Sequence, residues 1–172
     1  MRSIPRSPVG VFVVLLALLA GWLLAEIEKQ PEHGAEHSKR VAVTLDEVVD
    51  GDTARFWLDG KSESVRYIGI DTPEVNYGAN DPECFAQDAT NRNRLLLGSG
   101  GKATLLFDKE RRDHYGRLLA YVYSGPTLLQ EELLKGGYAR TLEVPPNTSK
   151  AERFAQLENE ARDSKRGLWS EC

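Results

Sequence analysis

The chain has 172 residues, 41% hydrophobic and 28% charged, enough to bury one core of ordinary size and too little for two large ones. A formal net charge of −4 and a pI near 5.5 exclude binding of nucleic acid through an overall basic surface, so any contact with a polyanion has to be local.

In chain order, the first feature is an apolar run from Val9 to Ala25, preceded by Arg2 and Arg6 and followed by acidic, polar sequence. As a helix rising about 1.5 Å per residue it would be about 26 Å long, between a signal-peptide core and a full membrane span. The basic residues in front favour an N-terminus kept in the cytoplasm and a remainder sent across. Neither Ala25 nor Ala20 completes a small-x-small cleavage site, because Leu23 and Leu18 stand two residues before them. An uncleaved signal anchor over residues 1–25 is therefore expected, with a cleaved signal peptide as the alternative. A buried core helix would show a polar face every 3.6 residues, and this run has none. Both readings place the remainder outside the cytoplasm, either membrane-anchored or secreted or periplasmic.

Residues 26–39, "EIEKQPEHGAEHSK", are polar and carry Pro31 and Gly34, so they read as a linker to a domain over residues 40–172. His33 and His37 in it have helical i, i+4 spacing, but chance histidines in a tether are the better reading than a metal site. Cys84 and Cys172, the only two cysteines, agree with an exported domain that keeps a disulfide. Such a bond would close a long loop, worth on the order of 4 kcal/mol in the chain-entropy model. Two free thiols are the alternative, and a metal site lacks partners.

The domain opens on "VAVTLDEVVDGDTARFWLDGKSESVRYIGID", in which apolar and polar residues alternate and Asp59-Gly60 supplies a hairpin turn between Phe56-Trp57-Leu58 and Val65-Arg66-Tyr67-Ile68. Cys84 to Leu97 has helical spacing and a stop at Gly98. "KATLLFD" and "RLLAYVY" are two further strands. A second helix runs from Thr127 to Lys135, and a third from about Ser149 to Arg166, with Asn147, Thr148 and Ser149 offering caps. Five short strands with helices after the third and the fifth describe a mainly β (α+β) fold, a closed antiparallel five-stranded OB-type barrel with three helices, preceded by one N-terminal hydrophobic helix. A mixed α+β sandwich is the fallback.

Asp50, Asp52 and Asp71 are out of place around strands built from Val, Phe, Trp, Tyr and Ile. "DKERRDHYGR" gathers Lys109, Arg111, Arg112 and Arg117, the local basic cluster that the overall charge lacks. Each short pattern alone is more often structural. Together and in order, "VVDGDT", "VRYIGIDTPE", "DHYGRLLAYVY", "LLKGGYAR" and "RGLWS" resemble the staphylococcal nuclease (thermonuclease) family, from about Val43 to Trp169.

Calcium takes carboxylate and carbonyl oxygens that converge with their charge uncompensated, and Asp52 and Asp71 at the mouths of neighbouring strands can converge. The resemblance implies that Asp52, Asp71 and the backbone oxygen of Thr72 hold Ca2+, with Asp50 outside them. Phosphodiester cleavage builds negative charge on the phosphoryl oxygens and needs cations aimed there. Guanidinium groups match two phosphate oxygens and keep their proton. By resemblance Arg66 and Arg117 take that role and Glu74 activates the water, although a carboxylate that only orients the water would occupy the same place. Five residues separate Arg66 from Asp71, so a flat strand would hold them about 16 Å apart on opposite faces; a strand bent at Gly69 is needed to join them.

The chain departs from the family pattern where a lysine usually precedes Tyr-Gly-Arg, here His114, and where a Tyr-x-Tyr pair usually stacks on the base, here Leu142-Glu143-Val144. Stacking contributes about 1–3 kcal/mol per base, so short substrates should bind more weakly. Asp113, His114 and Tyr115 remain as substrate-binding candidates, and an insertion, "NYGANDPEC", follows Glu74. The expected function is a monomeric Ca2+-dependent nuclease cutting DNA and RNA with little sequence preference. The alternatives are a non-catalytic OB-type module that only binds nucleic acid, and a structural envelope protein.

Overall fold

The computed structural model describes residues 40–75, 81–98 and 100–172. The expected anchor (1–25), the linker (26–39) with His33 and His37, and residues 76–80 of the insertion lie outside the described residues. Among the described residues no helix is long and apolar enough to cross a membrane.

The alternating segment folds into three antiparallel strands, β1 (Arg40–Val48), β2 (Thr53–Leu58) and β3 (Lys61–Tyr67). Asp59 and Gly60 both have positive φ, 49° and 77°, the turn geometry whose twist matches that of the strands it joins. The chain continues through β4 (Ile70–Asp71), α1 (Ala86–Leu97), β5 (Lys102–Leu106), β6 (Leu118–Ser124), β7 (Thr127–Leu128), α2 (Leu129–Lys135), β8 (Arg140–Thr141), α3 (Ala151–Asp163) and α4 (Leu168–Glu171). Strand order is β3-β2-β1-β5-β6, and β6 returns to β3 to close a five-stranded barrel. β7 extends β6, and β4 pairs with β8 as a separate ribbon.

The barrel is the one expected, with three corrections. Its closing seam is parallel, Val65 opposite Leu118 and Tyr67 opposite Ala120, because the chain crosses over through α1 and β5 before β6 arrives. There is a fourth helix, the single turn α4, which is too short to carry a periodic pattern. The helices also start later than expected. α1 begins after Phe85, held at φ 71°, and Thr127–Leu128 joins β6 before α2 starts. Lys150 precedes α3 with no side-chain cap. Asn147, expected as a cap, instead grips Glu110, accepting its N–H and donating to its carbonyl, both at 2.8 Å.

Phe56, Val65, Tyr67, Leu105, Tyr121, Leu133, Phe154 and Leu157 fill the barrel and the layer between it and the helices. Two buried amides complete the polar accounting that such a core demands. Gln130 of α2 accepts the Val122 N–H (3.1 Å) and donates to the Ala120 carbonyl (3.0 Å). Asn93 of α1 accepts from the Tyr67 hydroxyl (3.0 Å) and donates to the Asp50 carbonyl (2.8 Å). Cys84 and Cys172 form the expected disulfide, 88 residues apart in sequence with Cα atoms 5.9 Å apart.

Candidate active site

Asp52 stands just before β2 and Arg66 next to the end of β3, and the hairpin register pairs Arg66 with Thr53. The Tyr67 N–H donates to the Asp52 carbonyl at 2.9 Å, so the two strand mouths are tied by backbone as well. Beyond Tyr67 the chain turns at Ile68-Gly69, where Gly69 has φ +82° and a Cβ would lie 2.8 Å from the Phe154 ring. Only glycine suits both the handedness and the space. The turn brings Ile70 and Asp71 back over Arg66, in place of the separation of a flat strand.

The Arg66 guanidinium fills the space so formed. Nε reaches Asp52 Oδ1 at 3.1 Å, Nη2 reaches Asp71 Oδ1 at 2.7 Å, and Nη1 donates to the carbonyls of Ile70 (2.7 Å) and Tyr67 (3.1 Å). Asp52 is buried. Its Oδ2 accepts the Thr72 N–H (2.8 Å) and hydroxyl (3.1 Å), and its Oδ1 the Thr53 hydroxyl (3.1 Å). Burial raises the Asp52 pKa most, Arg66 opposes it, and Asp50 and Asp71 add to the rise, leaving the group pushed up to about 7. Asp50 sits behind it, accepting the Asp52 N–H at 3.0 Å.

Gly51 makes this packing possible. A Cβ there would lie 2.6 Å from Thr72 Oγ1 and 2.9 Å from the Ala89 Cβ, so a side chain would push apart the loop that satisfies Asp52 and the helix behind it. Gly51→Ala is expected to cost about 1–3 kcal/mol, the usual range for overpacking. Its urea midpoint should fall accordingly, and an unchanged midpoint would show that the loop has slack.

The second cation comes from the loop before β6. Arg117 Nε contacts Asp113 Oδ2 at 2.7 Å, and Asp113 Oδ1 accepts the N–H groups of Arg117 (2.9 Å) and Tyr115 (3.0 Å). Burial alone would raise Asp113, but these contacts outweigh it and hold its carboxyl below the usual aspartate range. Arg66 and Arg117 line one open cavity of about 370 Å³, together with Asp113, His114, Leu142 and Val144. Leu142 and Val144, 42% and 57% exposed, give the cavity apolar walls in the place where aromatic ones were missed in the sequence. Tyr115 is 74% exposed and its ring lies 5.4 Å from the Arg117 guanidinium carbon. Glu74 is exposed on the acidic side. Partial burial raises its pKa first, then the charges of Asp50 and Asp71, with Arg66 opposing.

Asp52, Arg66, Asp71 and Thr72 are thus directly joined, while Arg117, Asp113 and His114 meet Arg66 across the cavity. Among the described residues no three His, Cys, Asp or Glu side chains form a metal cluster. The oxygen donors available are the Asp52 and Asp71 carboxylates and the Thr72 main-chain oxygen. Their chemistry fits a hard divalent cation, and so does the charge: Asp50, Asp52, Asp71 and Glu74 crowd round one guanidinium, and their mutual repulsion is part of what raises Asp52 and Glu74. Sequence reasoning missed Asn93, Thr53 and Asn147. Asn93 was detectable, since it interrupts the buried stripe Ala86, Ala89, Thr90, Leu97 of α1, and a polar residue there needs a partner.

A family model described as "Staphylococcal nuclease homologue" matches residues 64–171. Endonuclease YncB of Bacillus subtilis (strain 168) is 45% identical over 140 residues, 80% of this chain and 66% of the relative. The SPbeta prophage-derived endonuclease YokF of the same organism is 47% identical over 132 residues, 76% of this chain and 44% of the relative. The chain therefore spans just under two thirds of the one and less than half of the other. Thermonuclease of Staphylococcus hyicus is 31% identical over 163 residues, 94% of this chain and 96% of that protein.

Proposed function

The chain belongs to the staphylococcal nuclease family, and from that premise we propose that it hydrolyses phosphodiester bonds of DNA and RNA, with Ca2+ held by Asp52, Asp71 and the Thr72 main-chain oxygen. The observation that carries the reading is the pairing of two fixed guanidiniums, Arg66 and Arg117, on one cavity beside an acidic cluster. A binding module needs the cations but not the buried acid behind them.

Arg66 and Arg117 each present N–H donors to the phosphate, and those contacts strengthen as charge builds on the phosphoryl oxygens in the transition state. Asp113 spends its carboxylate on orienting Arg117, so that guanidinium is preorganised before substrate arrives. Glu74, whose pKa is raised, accepts a proton from the attacking water while the P–O bond to the departing ester oxygen breaks. When bound, the cation supplies further positive charge opposite the phosphoryl oxygens. Leu142 and Val144 offer bases an apolar wall without a stacking platform, consistent with low sequence preference. His114 and Tyr115 border the same cavity mouth and are assigned to substrate contact.

We further propose an extracytoplasmic setting, supported by the Cys84–Cys172 disulfide, since such bonds persist outside the reducing cytosol. Incubating the full chain with single-stranded DNA and with RNA, in Ca2+ and in excess chelator, tests the main reading. Fragments in Ca2+ alone are expected, and gel retardation without cleavage in both conditions would make the chain a binding module.

A further inference from the structure

The chain that leaves the site after Glu74 comes back to it. Glu83, nine residues on, receives the Glu74 N–H on Oε2 at 2.9 Å and donates its own N–H to the Glu74 carbonyl at 2.9 Å. One residue thus satisfies both main-chain polar groups of Glu74, one through its side chain and one through its backbone. Among the described residues the Glu74 carboxylate itself has no hydrogen-bond or ion-pair partner. Its direction is therefore set by how its own backbone is held.

Glu83 is firmly placed for that task. Its carbonyl accepts the Ala86 N–H at 3.1 Å where α1 begins, and its neighbour Cys84 is bonded to Cys172. α1 is in turn pinned by Asn93 to Asp50 and Tyr67, within the same acidic wall that Glu74 faces. A continuous set of covalent and hydrogen bonds runs from the core to the Glu74 backbone, and Glu83 is its last member.

We propose that Glu83 is a positioning residue, clamping Glu74 so that its carboxylate meets the attacking water at a fixed angle. The proposal rests on the reading of Glu74 as the base. Small displacements of a reacting group cost up to about a hundredfold in rate, whereas one exposed hydrogen bond contributes little to stability.

The full chain should be compared with Glu83→Ala and Glu83→Gln in steady-state cleavage of single-stranded DNA with Ca2+, alongside thermal melting. Glu83→Ala is expected to lose about ten- to a hundredfold in kcat, with KM and melting temperature close to those of the wild type. Glu83→Gln, whose amide oxygen still accepts the Glu74 N–H, should recover most of the lost kcat. A wild-type kcat in Glu83→Ala, a loss confined to KM, or a glutamine variant as poor as alanine would each overturn the proposal. Failure of the underlying reading looks different: the wild-type chain would not cleave, or Glu74→Gln would remain fully active, and the proposal would fall with it.

Discussion

Arg66→Ala is expected to lower kcat about a thousandfold or more, the range seen when a charged or oxyanion-stabilising donor is removed from a phosphoryl or acyl transfer site. The change also removes four contacts at once, two to carboxylates and two to main-chain carbonyls. Breaking a buried ion pair by deleting one partner costs about 3–5 kcal/mol when the remaining charge stays ionised. Asp52 decides how much of that cost appears. Its folded pKa, about 7, lies above the ordinary 3.8, so the folded protein holds a proton there that the unfolded chain has released. The stability tied to that proton is fully present below about pH 4 and is lost as pH rises through 7. Deleting Arg66, which lowers Asp52, extends this loss to higher pH.

Unfolding of the metal-free Arg66→Ala variant should therefore be close to wild type at pH 5, where Asp52 is largely protonated in both, and clearly weaker at pH 8. Urea midpoints at the two pH values check this. Arg66→Lys restores a charge but not the fork of donors, and should rescue the pH 8 stability more than the rate. An Arg66→Ala enzyme within about tenfold of wild type would remove Arg66 from the catalytic machinery.

The second large effect concerns the disulfide. Its closure spans 88 residues, and the chain-entropy relation gives about 4.6 kcal/mol for a loop of that length. That is a large share of the roughly 5–15 kcal/mol that holds an ordinary domain folded. Cys84→Ser with Cys172→Ser is expected to shift the urea midpoint by about 2 M, taking a slope of about 2 kcal/mol per molar for a domain of this size. Reductant should produce the same shift in the wild-type chain and none in the double variant. Equal midpoints for reduced and oxidised wild type would mean that the bond constrains nothing the fold does not already fix.

The barrel was legible in the sequence because its information is local. Alternation set β1 to β3, Asp59-Gly60 set the hairpin, and Gly98 and the Gly136-Gly137 pair marked helix ends. The site was legible only as a set of residue types. That Arg66 could meet Asp71 depended on the reversal at Gly69, where Phe154, from a helix 85 residues later in the chain, leaves no space for a side chain. The grip of Asn147 on Glu110 and of Asn93 on Asp50 and Tyr67 also join distant segments, and nothing in their neighbours announces the partner. Asn147 next to two prolines reads as a cap or turn residue, and its role as a tie for the Arg117 loop emerges only once that loop is beside it. The parallel seam was missed for the same reason: alternation fixes which face of a strand is buried, but not which neighbour it finds.

That seam has a consequence for when the molecule becomes dangerous to nucleic acids. Arg66 follows Val65 and Arg117 precedes Leu118, the two residues that stand opposite each other where β3 meets β6. Nothing local in the chain brings the guanidiniums together; only shutting the cylinder does. A nascent or unthreaded polypeptide emerging from the ribosome or translocation pore holds one arginine without its counterpart until β6 has docked. Hydrolytic competence therefore arrives in a single late step, and the unfinished chain is harmless to its own cell's transcripts.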